Sequence, residues 1–568
     1  MDTTGTPTAR NHRALLGTGA VAALLLLAAV AAGCDAEPAG STGPAANLPD
    51  AGWSQELFES SIDSLDHLED FNGPEMLAQA MQGLNQSLAG SAQTDNWQPD
   101  PMVFSLPLVY RALPAVKNLG ATQFDVLGAL DLQEAFWLRD ASRAARGDRA
   151  DDLSRAKSLF DWTVRNIQLT PEAVAADGYD LLHSPRQLLL LGRGNAIERA
   201  WLFILLARQQ GLDVVMLGIP DDVRATGYRP WLPALLSSGQ LYLFDTRLGL
   251  PIPTADGQSV ATLEQVSADD SLLRALDVEG LPYPVKAEDL QQLVVLIEGS
   301  PAYLSRRARM VELRLTGERK VVLTVPASTL ADRLKTLKQV KEVRLWDIPY
   351  QYLADQSLPE YREESARELA PYQIDRLPRE LRPAGAALQQ GRVMQIRGHY
   401  AQEEDSQAAS ANAMFQIARA PDVDAAQARL SPEQLTVLEH TRQDASYWLG
   451  LVAFERQRYA AAVEHLKKRT LEASPTGPWS AGARYNLARC YEQLGRLPEA
   501  IELYEADQSP QRHGNLLRAR QLKGAQPAEE TSAAEKPAEE NSPEEKPSDE
   551  KPPAEPAAEE KRAEDPSS

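Results

Sequence analysis

Apolar residues recur every three or four positions along much of the chain, a spacing that predicts helices. From about Leu48 to Arg146 the pattern is mostly helical, interrupted by the polar segment SAQTDNWQPDP near residues 91–101. The stretch FDVLGALDLQEAFWLRDASRAAR carries its apolar residues at helical spacing. Because no chemical motif occurs there, we interpret residues 49–150 as a helical region that packs on the next domain.

The following segment, residues 151–266, mixes helical and strand patterns. Leu153 to Leu169 predicts an amphipathic helix, and the stretch AWLFILLA within GRGNAIERAWLFILLARQQGLDV (residues 192–214) is apolar on every side. Such a helix is expected at the centre of its domain. DVVMLGIP then predicts a strand, and residues 229–249 predict two strands joined by a Ser-Ser-Gly-Gln turn.

A second alternation of strands and a helix lies between Leu290 and Tyr352. Strands are predicted in QQLVVLIEG, in VELRLTGERKVVLTVP and in EVRLWDIPYQY, with a helix through STLADRLKTLKQV. Apolar β-branched runs around an amphipathic helix predict a small α/β layer over residues 267–355. The pattern is helical again over residues 356–435.

Two helical segments near the C-terminus repeat one another. Ala445–Leu466 aligns with Ala483–Tyr504 at an offset of 38 residues, so that Gly450 falls opposite Ala488. The pattern resembles the tetratricopeptide repeat (TPR), whose period is about 34 residues, with SPTGPWS as an insertion. This resemblance implies a helical stack over residues 436–523, completed by the flanking SPEQLTVLEHTRQ and RHGNLLRARQLK. It also implies that a protein or peptide partner binds its concave face.

The N-terminal residues have the composition of a targeting signal. Arg10 and Arg13 precede the apolar run Ala14–Gly33, which ends in small residues before Cys34. The sequence AAGC resembles the lipobox of bacterial lipoproteins, which implies a signal peptide over residues 1–33 and a lipid on Cys34. The body would then be anchored to the cell membrane on its extracytoplasmic, periplasmic side. An uncleaved transmembrane helix is the alternative, because a run of about 20 residues can span a bilayer.

Composition limits the remaining possibilities. Residues 34–48 are predicted to be a flexible linker, and residues 524–568, rich in Pro, Glu, Lys and Ala, a disordered tail. The tail holds 14 acidic and 5 basic residues, a net charge of −9 out of −22 for the whole chain. The body is therefore acidic as well, which argues against nucleic-acid binding. Two cysteines and seven scattered histidines give no metal-binding pattern, and no cofactor is expected.

Residues 151–250 resemble the transglutaminase-like domain, a papain-like fold with a cysteine nucleophile. The family pattern is a glycine, a cysteine two positions on, an acidic residue, an alanine and an apolar helix that ends in Arg-x-x-Gly. Gly194, Glu198, Arg208 and Gly211 fall in register with it, whereas the position of the cysteine is Ala196. The helix N-terminus that would stabilise a thiolate is therefore predicted without the thiol.

The remaining triad positions of this family are only partly kept. The histidine that stands two residues before a tryptophan is replaced by Arg229, and the aspartate that ends the second strand is matched by Asp245. Without a thiolate and its base, nucleophilic acyl transfer loses both main parts. An Arg229–Asp245 charge pair is a hypothesis for what fills the site. We interpret His183 as a surface or capping residue and Cys490 as buried packing.

The sequence thus predicts a multidomain α+β protein: a helical N-terminal region, a transglutaminase-like α+β core, a small α/β layer, TPR-like repeats and a disordered acidic tail. The favoured function is that of a non-catalytic envelope lipoprotein that binds a protein or peptide as a scaffold. An active transglutaminase-like amidase or peptidase, acting on envelope peptides with an unrecognised nucleophile, is the second hypothesis. A purely structural spacer is the third.

Overall fold

The secondary structure combines many helices with one six-stranded sheet and one two-stranded pair. The computed structural model describes residues 51–67, 74–89, 96–171, 182–224, 226–369, 372, 377, 379, 381–401, 409–419 and 430–525. The described residues up to Lys523 cluster into one compact unit. The predicted signal peptide, Cys34 and linker lie outside the described residues, as does the predicted tail beyond residue 525.

The helices and strands have the following bounds. The helices are α1 (Ala51–Asp66), α2 (Pro74–Leu88), α3 (Leu108–Arg111), α4 (Pro114–Lys117), α5 (Val126–Arg146), α6 (Asp152–Asn166), α7 (Pro185–Leu191), α8 (Ala196–Gln209), α9 (Leu263–Ala268), α10 (Ser271–Arg274), α11 (Pro301–Leu304), α12 (Arg306–Glu312), α13 (Ala327–Leu334), α14 (Ile348–Asp355), α15 (Pro359–Glu368), α16 (Arg382–Ile396), α17 (Ala411–Arg419), α18 (Pro432–Glu455), α19 (Tyr459–Val463), α20 (Ser480–Gln493), α21 (Leu497–Glu505) and α22 (Arg512–Ala525). The strands are β1 (Gln168–Leu169), β2 (Arg193–Gly194), β3 (Asp213–Pro220), β4 (Tyr228–Ser237), β5 (Gln240–Asp245), β6 (Leu250–Pro251), β7 (Leu293–Ile297) and β8 (Val340–Leu345). Three 3₁₀ turns add Pro101–Ser105, Ala287–Leu290 and Gly317–Arg319.

The large sheet has the strand order β6-β5-β4-β3-β7-β8. All neighbours are antiparallel except β7 and β8, which are parallel. The predicted strand DVVMLGIP is confirmed as β3, and the predicted hairpin is confirmed as β4 and β5. Its turn places Ser238 and Gly239 at positive φ, a conformation that suits glycine and polar turn residues.

Residues 267–355 differ from the predicted small α/β layer in three respects, the first of which is that the end of the predicted strand EVRLWDIPYQY begins helix α14 (Ile348–Asp355). Strand β7 pairs with β3, so β7 and β8 extend the sheet of the preceding segment instead of forming a separate one. The apolar run VELRLTGERKVVLTVP is no strand: it begins inside α12, passes through the 3₁₀ turn Gly317–Arg319 and is otherwise irregular. Ser305 caps α12, and Ala308, Val311 and Leu315 are buried at helical spacing against the N-terminal helices. Helical packing therefore overrides the β-branched composition.

Helix α8 is buried on all sides, which confirms the prediction for the stretch AWLFILLA. Of the residues from Ala196 to Arg208, Ile197 alone is not fully buried. The ring of Phe203 lies 5.4 Å from that of Phe160 on α6 and 5.3 Å from that of Phe244 on β5. These contacts join the central helix to the amphipathic helix before it and to the hairpin after it.

The C-terminal repeats form helical pairs as predicted. Helices α18 and α19 form the first pair, α20 and α21 the second, and α22 follows. A Cβ atom on Gly450 would lie 2.6 Å from Cδ2 of Leu466, so a small residue is needed where the first pair approaches. The predicted flanking helix SPEQLTVLEHTRQ is continuous with the first repeat helix in α18, and α19 passes into a π-helical turn at Glu464–Leu471.

Candidate functional site

The N-terminus of α8 is the position at which the family pattern places its nucleophile. Asn195 caps the helix, because its side-chain oxygen accepts hydrogen bonds from the backbone N–H groups of Ile197 (2.9 Å) and Glu198 (3.0 Å). Ala196 is 6% exposed, and its carbonyl oxygen accepts a hydrogen bond of 2.8 Å from the Thr246 hydroxyl. The end of β5 therefore lies directly beside Ala196, whose side chain is a methyl group without nucleophilic chemistry.

Asp245 ends β5 and is buried, with both carboxylate oxygens occupied. Oδ1 accepts from the backbone N–H groups of Arg247 and Leu248, each at 2.9 Å. Oδ2 accepts from the hydroxyl of Tyr283 at 2.8 Å. Burial raises the pKa of Asp245 above its ordinary value. The pKa of Tyr283 is also raised, by its burial and by the nearby charge of Asp245. A phenol thus holds the carboxylate where the family pattern would supply an imidazole.

Tyr283 also connects the hairpin to this site. The indole N–H of Trp231 donates to the Tyr283 hydroxyl at 2.9 Å, which continues the hydrogen-bond chain to Asp245. Sequence reasoning missed Tyr283, because it lies 38 residues after Asp245 in an irregular segment. Its position in LPYPV carries no chemical motif that could have indicated the contact.

Arg229 does not join this group. It lies half-buried in β4, where it pairs with Ile219 of β3. No ion pair connects it to Asp245 in the part of the chain that the structure describes. The hypothesised Arg229–Asp245 charge pair is therefore wrong, because the carboxylate is already held by Tyr283 and two backbone N–H groups.

His183 lies beside the first turn of α8, and its interpretation as a surface or capping residue is wrong, because its ring is bonded to two carboxylates and Ser184 caps α7. Its Nδ1 is 2.8 Å from Oε1 of Glu198 and its Nε2 is 2.6 Å from Oε2 of Glu368. Burial disfavours the charged imidazole, but the hydrogen bonds to the two carboxylates outweigh it and raise the pKa of His183 to about 9. Because both ring nitrogens are engaged, the imidazole has no free nitrogen to accept a proton from a nucleophile.

Other residues that match the family pattern have evident structural roles. Glu198 completes the capping box by accepting from the Asn195 N–H at 2.8 Å. A Cβ atom on Gly194 would collide with the side chain of Leu188, so the glycine is required by packing alone. Arg208 donates to the Glu298 carbonyl at 2.7 Å and lies 2.5 Å from its carboxylate.

Cys490 is the free cysteine among the residues that the structure describes. It is fully buried in α20, which confirms the interpretation as packing. Burial raises the pKa of its thiol to about 12, so the thiolate form that reacts as a nucleophile is scarce at neutral pH.

The repeat helices pack on the domain that precedes them. Asn486 on α20 donates to the Arg165 carbonyl at 3.1 Å. The backbone N–H of Gly482 donates to the side chain of Gln168 at 2.7 Å. Glu455 at the end of α18 forms a buried ion pair of 3.0 Å with the Arg165 guanidinium. One face of α18 and α20 is therefore occupied by α6 and β1 of the same chain.

The same helices cover the loop that leads to Ala196. Gly192 has a φ of +64°, and a Cβ atom there would lie 2.9 Å from Cζ2 of Trp448 and closer still to Cη2. Trp448 lies between Trp479 and Arg392. The ring centroids of Trp448 and Trp479 are 4.7 Å apart, and the Arg392 guanidinium lies 3.7 Å from the ring centroid of Trp448. This aromatic cluster fixes the repeats against the start of α8.

A buried arginine ties the end of the repeats to the same site. The Arg199 guanidinium donates to the carbonyl oxygens of Ile167 (2.8 Å) and Thr246 (3.2 Å) and to Oε1 of Gln511 (2.8 Å). Burial lowers the pKa of Arg199 to about 10. Since Gln511 immediately precedes α22, the α8 helix, the end of β5 and the last repeat helix share one hydrogen-bonded centre.

Comparison with known proteins identifies the repeats. Residues 430–506 match the family model described as anaphase-promoting complex, cyclosome, subunit 3, which supports TPR-like repeats and a role in protein–protein interaction. The curated proteins include no match to the chain. Within the described ranges, no helix is long and apolar enough to cross a bilayer, and no group of three or more potential metal ligands occurs.

Proposed function

We propose that this protein is a lipid-anchored envelope scaffold that binds a protein or peptide partner through its TPR-like repeats. The match over residues 430–506 is the observation that carries the proposal, because repeats of this type act in protein–protein interaction. The lipobox-like AAGC ending at Cys34 supports the lipid anchor and the extracytoplasmic location.

We further propose that residues 151–266 are a transglutaminase-like core without catalytic activity. Three features support this. A methyl group stands at Ala196, Asp245 is held by Tyr283, and both nitrogens of His183 are bonded to carboxylates. An acyl transfer at this site has neither a thiolate nor a free base.

The contacts of the repeats indicate where the partner binds. One face of α18 and α20 already binds α6 and β1, so that face is not available to a partner. We propose that the partner binds the opposite side, where α21 and the turn before it expose Leu494 and Glu502.

A photo-crosslinking experiment tests the binding surface. A photoreactive residue is placed at exposed Glu502 and, as the matched control, at exposed Lys286 in the body. We expect a discrete adduct, formed in cells, at position 502 and none at position 286. Adducts at both positions, or at neither, would contradict binding through the repeats.

Enzyme assays test the proposed loss of catalysis. The unaltered protein is expected to show no turnover of a glutamine-donor peptide and no labelling by a thiol probe at neutral pH. Ala196→Cys should introduce one labelled thiol. Turnover by the unaltered protein that survives Cys490→Ser would establish the alternative, an enzyme with an unrecognised nucleophile.

The lipid anchor is tested by metabolic labelling with an alkyne fatty acid. The unaltered chain is expected to incorporate the label and to sediment with membranes, whereas Cys34→Ser should not incorporate it. Equal labelling of both chains would remove the lipoprotein assignment and favour the transmembrane alternative.

A further inference from the structure

Several exposed apolar residues lie in the chain segment that connects α2 to α5. Phe104 is 68% exposed, Leu108 75% and Val109 66%. We refer to these three residues as the Phe104 patch. Pro101, Pro107, Ala112 and Pro114 are also exposed in the same segment, which extends its apolar character. Single exposed apolar residues are common on soluble proteins, whereas three large ones within six residues of the chain indicate a binding surface.

The patch is held by a firmly anchored segment. Val103, Leu106, Val116 and Leu119 of the same segment are buried in the core cluster that includes the sheet residues of β3, β7 and β8. Asp100 caps the turn by accepting from the Met102 N–H at 2.8 Å. The buried residues of this segment therefore fix it to the core, while the exposed residues of the Phe104 patch contribute nothing to core packing.

The charge of this segment is opposite to that of the chain. Residues 101–124 contain no acidic residue, although the whole chain has a net charge of −22. Their two cations are Arg111 and the exposed Lys117, and neither forms an ion pair among the residues that the structure describes. Burial and the charges of Asp347 and Asp355 raise the pKa of Tyr110 in this segment, and the carboxylate of Asp100 lies at its start.

The proposed lipid anchor would keep the body of the protein close to a membrane. Sixteen residues separate Cys34 from Ala51, the first residue that the structure describes. A flexible chain of that length has a root-mean-square span of roughly 20–25 Å. A weak membrane contact of the body therefore acts at the high effective concentration that a short tether creates.

We propose that the Phe104 patch is a membrane-docking surface that inserts into the interface of an anionic bilayer. Phe104, Leu108 and Val109 enter the acyl-chain boundary, while Arg111 and Lys117 contact the phosphate headgroups. A second copy docking through the same patch is a poorer occupant, because it would bring Arg111 and Lys117 against their own counterparts, whereas an anionic bilayer supplies phosphate groups that these cations bind. This inference rests on the proposed anchor for its setting, but the docking itself requires no acyl chain.

Vesicle binding of the unacylated chain tests the proposal. The chain from Asp35 onward keeps every residue that the structure describes and lacks both the apolar run and the lipid. It is sedimented with vesicles of phosphatidylglycerol and phosphatidylethanolamine, and with vesicles of phosphatidylcholine alone. We expect binding to the anionic vesicles that is at least tenfold stronger than to the neutral ones.

Two variants separate the apolar from the electrostatic contribution. Phe104→Ser combined with Leu108→Ser and Val109→Ser should lower binding to anionic vesicles at least tenfold. Arg111→Gln combined with Lys117→Gln should remove the preference for anionic vesicles. Because the patch side chains are exposed, the circular dichroism spectrum and the Tm of the triple variant should match those of the parent.

The matched control replaces exposed apolar residues elsewhere, Leu313 (71% exposed) and Ile417 (47% exposed), by serine. This control is expected to bind vesicles like the parent. Absence of vesicle binding, or equal loss in the control and the triple variant, would overturn the proposal. A parent that dimerises in sedimentation velocity, with the triple variant monomeric and vesicle binding absent, would assign the patch to a second copy instead. None of these results depends on acylation of Cys34 or on the repeats.

Discussion

Substitution of Gly192 tests whether the repeat helix α18 packs on the core through Trp448. It ends α7 in the left-handed region, with φ of +64°, and its missing side chain leaves the space that the Trp448 ring occupies. Gly192→Ala therefore has two effects: it introduces a side chain at positive φ, and it drives a methyl group into Trp448. Only the second effect depends on the contact between the loop before Ala196 and helix α18.

Gly211→Ala is the matched control that isolates the first effect. Gly211 has a φ of +68°, and a Cβ atom there would meet nothing within 4 Å. Left-handed backbone costs an ordinary residue about 1–2 kcal/mol, part of which is offset because alanine restricts the unfolded chain by about 0.4–1 kcal/mol. Overpacking against a buried ring adds about 1–3 kcal/mol. We therefore expect Gly192→Ala to be the more destabilising variant by about 1–3 kcal/mol.

The measurement is equilibrium urea unfolding followed by circular dichroism and tryptophan fluorescence. The Trp448→Leu background completes a double-mutant cycle, because the smaller side chain leaves room for the new methyl group. In that background the cost of Gly192→Ala should fall to that of Gly211→Ala. Equal destabilisation by the two glycine substitutions in the parent would refute the reasoning, since it would show that Trp448 is not packed on Gly192.

Three further predictions concern buried polar groups. His183→Asn should lower the free energy of unfolding by about 2–3 kcal/mol near pH 6, because the folded-state pKa of about 9 lies above the ordinary 6.5. This stabilisation is complete below about pH 6.5 and is lost as the pH rises through 9, so urea unfolding at about pH 10 should show a much smaller difference. Cys490 should resist iodoacetamide at neutral pH in the folded protein and react after unfolding in urea, as read by mass spectrometry. Glu455→Gln should lower the free energy of unfolding by about 2–3 kcal/mol, because it weakens the buried pair with Arg165, and an equally stable variant would contradict that role.

Elements whose signal is local were predictable from the sequence. Helix α8, strand β3 and the β4–β5 hairpin follow from apolar runs and turn residues within a few positions of each other. The segment around α12 was predicted wrongly, because an apolar run fits a strand or a helix equally well until its packing partners are known. The buried residues of α12 share a core with α1, α2 and α5, helices far earlier in the chain that no local pattern identifies.

The candidate site was predictable only in the positions that a motif covers. Ala196 and Asp245 lie beside each other through Thr246, as their places in the family pattern imply. The contacts of Asp245 with Tyr283 and of His183 with Glu368 join residues from irregular or distant segments, so their spacing along the sequence contains no signal. The packing of the repeat helices on α6 joins segments about 300 residues apart, so it could not be predicted from the sequence either.

The retained motif residues need no catalytic explanation. Glu198 caps α8 and holds His183, Gly194 leaves room for Leu188, and Arg208 is bound to Glu298. Each of these contacts stabilises the fold whether or not a thiol stands at position 196. Alanine fits the same place, because its methyl group on a capped helix N-terminus leaves no polar side-chain atom without a partner. The stability of this site is therefore explained by helix capping, hydrogen bonds, one ion pair and packing, with no contribution from a nucleophile.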